Sequence, residues 1–258
     1  MTRVLVTRPR RQAAALAGAL TAAGLQPVCI PTVEIEPAAD PALEEALRHV
    51  ERFDWIVVTS ANAVPALAGR LDTAGRLDTA GRRGTASRAR IAAIGPATAA
   101  ALTAAGLSVD HVPDTFLGSA VVAGLGELDG RNVLLAHADA AEPDLRDALE
   151  RRGARVADVV AYHTLVGPSA SRQPLTDAVD RGLDLVTFAS ASAVRGLEAL
   201  LDPTRLEQVR QTPAACIGPV TADQARAGGF QVAVVAAEHT AAGLAHAIVD
   251  QLATEALA

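Results

Sequence analysis

Hydroxyl and amide side chains recur in the sequence directly after short apolar runs and directly before helical patterns. Two such segments carry Ser or Asn, and two others carry Gly-Pro-x-Thr. Side chains of these types cap helix N-termini, where free N–H groups and the helix dipole also favour an anion. The pattern therefore indicates plain helix caps or contacts to an anionic ligand, and the residues are Ser60, Asn62, Thr98, Ser190, Ser192 and Thr221.

These segments are related in pairs, because part of the sequence is written twice. DWIVVTSANAV at Asp54–Val64 returns as DLVTFASASAV at Asp184–Val194, and IGPAT at Ile94–Thr98 returns as IGPVT at Ile217–Thr221. The period is far too long for a solenoid. We expect two related halves with similar surfaces that face each other across a ligand-binding cleft.

The elements that must position these residues follow from the alternation of short apolar runs with Ala- and Leu-rich segments. Apolar residues at helical spacing, such as Leu16 and Leu20, predict helices between the runs. The alternation is typical of an α/β fold with parallel sheets. The runs predict ten strands in two sheets of five: 3–7, 27–30, 55–58, 90–94, 109–112, 132–136, 156–160, 185–188, 214–217 and 232–235.

Three segments interrupt this alternation. Gly69–Ala74 is duplicated as Gly75–Ala80, which predicts an exposed loop with solvated arginines at Arg70, Arg76, Arg82 and Arg83. Val33–Pro37 and Tyr162–Pro168 are extended and end in proline. We expect the last two to be linkers between domains.

Composition excludes several classes of function. The net charge of −6 and the 2% aromatic content argue against a nucleic-acid-binding surface. No apolar run is long enough to span a membrane, and the N-terminus lacks the apolar core of a signal peptide, so we expect a cytoplasmic protein.

Motifs for cofactors and metals are also missing. Neither GxGxxG after a strand nor a P-loop occurs, and there is no GxSxG elbow. Cys29 and Cys216 lie in apolar stretches without the spacing of a zinc site, which predicts buried free thiols. We therefore expect neither a metal nor a dinucleotide cofactor.

The order of the elements resembles the uroporphyrinogen-III synthase family over essentially the whole chain. The resemblance rests on VLVTRP at Val4–Pro9, the strand Asp54–Ser60, the paired IGPxT elements and Val160–Tyr162. It implies two flavodoxin-like, doubly wound parallel-sheet domains, joined by a two-segment extended linker with a cleft between them. Residues 1–36 and 168–258 would form the discontinuous first domain, and residues 37–167 the inserted second one.

The resemblance also implies a reaction. The family cyclises hydroxymethylbilane, a linear tetrapyrrole with eight carboxylates, to uroporphyrinogen III, with loss of water and inversion of ring D through a spiro intermediate. This is a cofactor-independent lyase reaction in which the enzyme acts chiefly by positioning. The expected partners are this polycarboxylate substrate and, transiently, the preceding enzyme of the pathway, and we expect a monomer.

Roles for single residues follow from the resemblance. Tyr162, the sole tyrosine, matches the tyrosine of the family's cleft and would be catalytic, donating a proton or a hydrogen bond to the departing hydroxyl. Its alternative is a linker ring packed between the lobes. The substrate arms would be bound by Arg8, Ser60, Asn62, Thr98, Ser190, Ser192 and Thr221, for which helix capping or, at Arg8, a salt bridge is the alternative. A lone histidine such as His137 is more often structural.

Other classes of function remain open at this point. A two-lobed small-molecule binding protein of the periplasmic or repressor type would share the hinged α/β layout. The missing export signal, the missing helix-turn-helix extension and the low aromatic content weigh against it. A regulatory synthase domain without catalysis is the third reading.

Overall fold

The computed structural model describes residues 1–71, 89–115, 118–139 and 144–255. The chain divides into two compact units, called here unit 1 (Met1–Glu34 with Leu165–Ala258) and unit 2 (Ile35–Thr164). Most of the duplicated segment lies outside the described residues, although its first residues, Gly69–Leu71, end a helix instead of forming a loop. No helix in the described ranges is long and apolar enough to cross a membrane.

Ten strands and eleven α-helices occur within these ranges. The strands are β1 Arg3–Val6, β2 Gln26–Cys29, β3 Val33–Pro37, β4 Trp55–Val58, β5 Arg90–Ala93, β6 Asn132–Ala138, β7 Arg155–Val166, β8 Leu185–Phe188, β9 Ala214–Cys216 and β10 Val232–Val235. The helices are α1 Arg10–Ala22, α2 Pro41–Arg48, α3 Val64–Leu71, α4 Pro96–Ala104, α5 Gly118–Gly124, α6 Asp144–Arg151, α7 Arg172–Asp180, α8 Ala191–Leu200, α9 Pro203–Arg210, α10 Pro219–Ala227 and α11 Ala241–Glu255.

Unit 1 contains a five-stranded sheet in the order β10-β9-β8-β1-β2, in which all the pairs are parallel. Unit 2 contains a five-stranded sheet in the order β3-β7-β6-β4-β5. Its pairs β4·β5, β4·β6 and β6·β7 are parallel. The fourth pair, β3·β7, is antiparallel. The predicted α/β class is therefore confirmed, with mainly parallel sheets.

The strands bury side chains on both faces, as parallel sheets covered by helices require. In β4 all four residues are buried. Ile56 and Val58 belong to one apolar cluster, whereas Trp55 and Val57 belong to another on the opposite face. The continuous apolar run of β4 follows from this double burial.

The extended segment Val33–Pro37 forms the edge strand β3, since its alternating apolar and acidic residues suit a half-buried strand. The boundary between the two units falls inside this segment, after Glu34. One strand prediction was wrong. The predicted strand 109–112 is reduced to one bridge between His111 and Ala92. There the Asp110 carboxylate accepts the Ile91 N–H at 2.8 Å, and so takes the place of a ladder carbonyl.

Candidate functional site

The carboxyl ends of the parallel strands gather most of the predicted site residues within each unit. In unit 1, Arg8 follows β1, Ser190 and Ser192 follow β8, and Thr221 follows β9, and these three strands lie side by side or one strand apart. In unit 2, Ser60 and Asn62 follow β4 and Thr98 follows β5, its neighbour. This edge is where open α/β sheets bind ligands.

Two of the serines cap helical turns. The Ser60 hydroxyl oxygen accepts the backbone N–H of Asn62 at 3.2 Å, and the Ser190 hydroxyl oxygen accepts that of Ala193 at 3.1 Å. Ser192, by contrast, accepts a hydrogen bond from the Arg195 guanidinium at 3.2 Å. Capping thus occurs at the two positions that begin a helical turn after β4 and β8.

Helices α4 and α10 begin without a side-chain cap. Their N-cap residues are Gly95 and Gly218, and each is followed by a proline, which has no N–H to satisfy. The third residue of each helix is a buried threonine, with Thr98 4% and Thr221 6% exposed. Among the described residues neither hydroxyl has a hydrogen-bond partner. Neither hydroxyl oxygen is fully enclosed, so both remain accessible. Both helix starts can therefore offer hydroxyl and N–H groups to an anion.

Arg8 is half-buried at the end of β1. Its Nη2 donates to Gln12 Oε1 at 3.3 Å, and its Nε is enclosed with no partner among the described residues. Burial lowers the pKa of the guanidinium. No salt bridge to a neighbouring helix forms within the described part of the chain, so the Arg8 charge is free for a carboxylate ligand.

Tyr162 lies in β7 beside a bulge. The register of β6 and β7 shifts between His137 and Ala138, which pairs with Tyr162. The residue is 7% exposed and packs into an apolar cluster of unit 2. Its hydroxyl has no hydrogen-bond partner among the described residues, and its oxygen is not fully enclosed. The ring is therefore a core residue, while the hydroxyl reaches the surface.

His137 is tied into the sheet. Its Nε2 contacts the Asp158 carboxylate, and its Nδ1 lies 2.5 Å from the Ala138 carbonyl oxygen. Arg146 lies 3.6 Å from the other Asp158 oxygen. Both ring nitrogens are engaged, which fits a structural role.

Three polar groups near these strand ends were not singled out from the sequence. His163 pairs with Asp139 beyond the end of β6, Arg195 lies one turn after Ser192, and the His239 ring packs against Gly218. The i,i+3 spacing could have pointed to Arg195. The other two contacts join residues that are distant in sequence, so no local sequence pattern predicts them.

The thiols and acidic groups show no metal site. Cys216 is buried, and burial raises its pKa to about 11. Cys29 is exposed, contrary to the prediction, because edge strand β2 leaves it uncovered, although partial desolvation still raises its pKa. Among the described residues, no group of three or more His, Cys, Asp or Glu side chains could hold a metal ion.

Comparison with known proteins identifies the family to which this sequence is similar. A family model described as uroporphyrinogen-III synthase HemD matches residues 14–246. The uroporphyrinogen-III synthase of Synechococcus elongatus is 29% identical over 252 residues, which cover 95% of this chain and 93% of that protein. The porphyrin biosynthesis protein HemD of Ruminiclostridium josui is 30% identical over 228 residues, but the chain spans only 44% of its length.

A solved structure agrees with the fold. The crystal structure of a mutant uroporphyrinogen III synthase from the extreme thermophile Thermus thermophilus has a TM-score of 0.64 and 24% identity, with 98% of this chain and 100% of that chain covered. At this identity the likeness shows the fold alone. The family match over most of the sequence goes further, and the chain belongs to the uroporphyrinogen-III synthase family.

Proposed function

We propose that this protein is a uroporphyrinogen-III synthase, which cyclises hydroxymethylbilane to uroporphyrinogen III with loss of water and inversion of ring D. The observation that carries the proposal is the pair of uncapped helix starts after Gly95 and Gly218, each with a buried threonine whose hydroxyl has no partner among the described residues. They lie at ligand-binding edges of two parallel sheets. Family membership supplies the substrate class.

Binding would rely on dipoles more than on cations. The substrate carries eight carboxylates, whereas the protein itself has a net charge of −6. Free N–H groups and the dipoles of α4 and α10 can bind carboxylates without lysine. Arg8 adds one charge, and Val220, which is 77% exposed beside Thr221, offers an apolar surface to a pyrrole ring.

The chemical task is control of geometry. Without an enzyme, the activated bilane closes at the unsubstituted position of its last ring and gives the type I isomer. To form type III, the protein must hold the substituted carbon of that ring against the electrophilic end, which is catalysis by positioning. In this proposal Ser60, Asn62, Ser190 and Ser192 contact the acidic arms, and Tyr162 donates a hydrogen bond to the ligand.

The finer description of the fold belongs to the same proposal. The strand order of unit 1 corresponds to 2-1-3-4-5, the flavodoxin-like order. Unit 2 has the order β3-β7-β6-β4-β5, which gives the same arrangement when the edge strand β3 is counted last. We propose that both units are flavodoxin-like domains joined by two extended segments. We also propose that the enzyme acts as a monomer without a cofactor.

The test is direct. Hydroxymethylbilane is added to the purified protein, and the type I and type III products are separated after oxidation to porphyrins. We expect type III to predominate, with the same rate after treatment with a chelator and dialysis. Type I alone, as in the protein-free control, would overturn the proposal and favour a binding or regulatory role.

A further inference from the structure

A paired histidine and aspartate stand beside Tyr162 at the carboxyl end of the unit 2 sheet. His163 Nδ1 lies 2.9 Å from Asp139 Oδ2. The second oxygen of Asp139 accepts the Thr164 N–H at 3.3 Å, and the Asp139 N–H donates to the Tyr162 carbonyl at 3.1 Å. Asp139 is thus hydrogen-bonded to the backbone of β7 on both sides of His163, through its carboxylate to Thr164 and through its own N–H to Tyr162. These bonds hold the carboxylate against the imidazole.

This hydrogen bond decides which nitrogen does chemistry. A carboxylate only accepts, so Nδ1 carries a hydrogen and donates it to Asp139. Nε2 is then the nitrogen that gains or loses a proton. The side chain of His163 is 51% exposed, so Nε2 is accessible to a ligand. The arrangement is the base-and-orienter half of a catalytic triad.

The groups that face His163 are acidic. Just after β6 the partner is Asp139. On β3 the facing residue is Glu36, because the bonds Ala38 N–Ala161 O and Gly167 N–Thr32 O set an antiparallel register that pairs position 36 with position 163. Carboxylates on this side of the imidazole repel a substrate carboxylate. The pair therefore suits proton transfer better than the binding of an acidic arm.

Its position relative to the other site residues is favourable. β7, β6, β4 and β5 are consecutive neighbours and parallel. At the usual strand spacing, the end of β7 is roughly 14 Å from the end of β5, where Thr98 lies. One large ligand at this edge can reach both. Tyr162 and His163 are adjacent in the strand, so their side chains leave β7 on opposite faces, the first towards the core and the second towards solvent.

We propose that His163, oriented by Asp139, is the proton donor for the hydroxyl that leaves hydroxymethylbilane, a proposal that rests on the synthase reaction above. The C–O bond breaks with its electron pair on oxygen, and the pyrrole nitrogen lone pair forms the new exocyclic double bond. The Nε2 proton passes to that oxygen and completes a water molecule. After the final closure, the ring carbon loses its hydrogen to Nε2, which restores both the aromatic pyrrole and His163.

The test compares two histidines of the same kind. His246 is also exposed and also pairs with a carboxylate, Asp250, at 3.3 Å, but it lies in unit 1 on α11, a helix that carries none of the candidate site residues. We expect H163Q to lower kcat for type III formation on the order of 10²-fold. We expect H246Q to match the wild type. Type III formation by the wild type and H246Q tests the synthase function separately from the role of His163.

The pH profile separates chemistry from structure. The wild-type kcat should fall as the pH rises and Nε2 loses its proton, and this alkaline fall should be absent in H163Q. Because Asp139 acts through His163, D139N should lower kcat by itself, whereas the double variant H163Q/D139N should be no slower than H163Q. Normal kcat in H163Q, or a reduced kcat with the alkaline fall retained, would overturn the proposal. If H163Q fails to fold, H163N and the profile of D139N decide in the same way.

Discussion

The carbonyl oxygen of Thr32 fills the space that a side chain on Gly196 would need. The same oxygen accepts the Gly167 N–H at 2.9 Å, and the Thr32 hydroxyl donates to the Ala193 carbonyl at 2.8 Å. Helix α8 is thus packed against the two chain segments that leave and re-enter unit 1. The absence of a Cβ atom at position 196 permits this contact.

Gly196→Ala should therefore destabilise the protein. Alanine favours a helix over glycine by about 1 kcal/mol, but the overpacked backbone contact should cost more, for a net loss of about 1–3 kcal/mol in the free energy of unfolding. The matched control is Gly18→Ala in α1, where a new Cβ meets nothing within 4 Å. It should stabilise by about 0.5–1 kcal/mol. Urea unfolding measures both, and equal effects would contradict the packing argument.

The charge of Arg8 should be needed for binding. With its Nε enclosed and without a partner among the described residues, Arg8→Met should raise KM for hydroxymethylbilane by about 10- to 100-fold, the range for a lost charged hydrogen bond. The KM of Arg8→Lys should lie between those of the wild type and Arg8→Met, because a lysine keeps the charge but not the guanidinium geometry. Arg11, an exposed arginine in the first turn of the following helix α1, supplies the control Arg11→Met. Steady-state kinetics of type III formation decide, and an unchanged KM in Arg8→Met would exclude this role.

The two buried threonines should matter for activity and not for folding. Thr98→Val and Thr221→Val remove hydroxyls that have no partner among the described residues, so the unfolding free energy should not fall. Each should lower kcat/KM about tenfold through one lost hydrogen bond to the ligand. Thr103→Val in α4, whose exposed hydroxyl bonds the Ala99 carbonyl at 3.0 Å, is the control and should keep full activity. A loss of stability without a loss of activity would assign both threonines to structure.

An exposed ion-pair group should tune acid stability. The Arg205 guanidinium, through its hydrogen bonds, lowers the pKa of Asp180 and the pKa of Asp202. A carboxyl group with a lowered folded pKa stabilises above its unfolded pKa, about 3.9, and loses that contribution as the pH falls through the folded value. Arg205→Met should therefore be less stable than the wild type at neutral pH, with a difference that shrinks below about pH 4. Urea midpoints across pH measure this, and a constant difference would contradict it.

The sequence predicts the sheets better than it predicts the polar contacts. Strands such as β4 and β8 are buried on both faces and are mostly apolar, and such runs are recognisable locally. The strand predicted at 109–112 fails at Asp110, whose side-chain carboxylate accepts the Ile91 N–H in place of a backbone carbonyl. This hydrogen bond joins two neighbouring segments of the sheet, so the sequence around Asp110 does not predict it.

The same limit holds at the candidate site. The hydroxyls at 60 and 190 were predicted from the residues that surround them, since caps are local. The contact of Asp139 with His163 joins a residue just after β6 to a residue within β7, 24 positions further along the chain. Only the pairing of β6 with β7 brings them together, so the sequence of either segment alone does not predict the contact.

Capping by Ser60 and Ser190 has a consequence for the choice of residue at these positions. In each cap the hydroxyl oxygen accepts a backbone N–H, which leaves the hydroxyl hydrogen unused by the helix. A serine can therefore cap a helix and donate to a ligand carboxylate at the same time. Aspartate caps a helix as well as serine does, but it has no hydrogen to give and would repel the carboxylate. A neutral cap therefore lets the same residue stabilise the start of a helix and bind a negatively charged group.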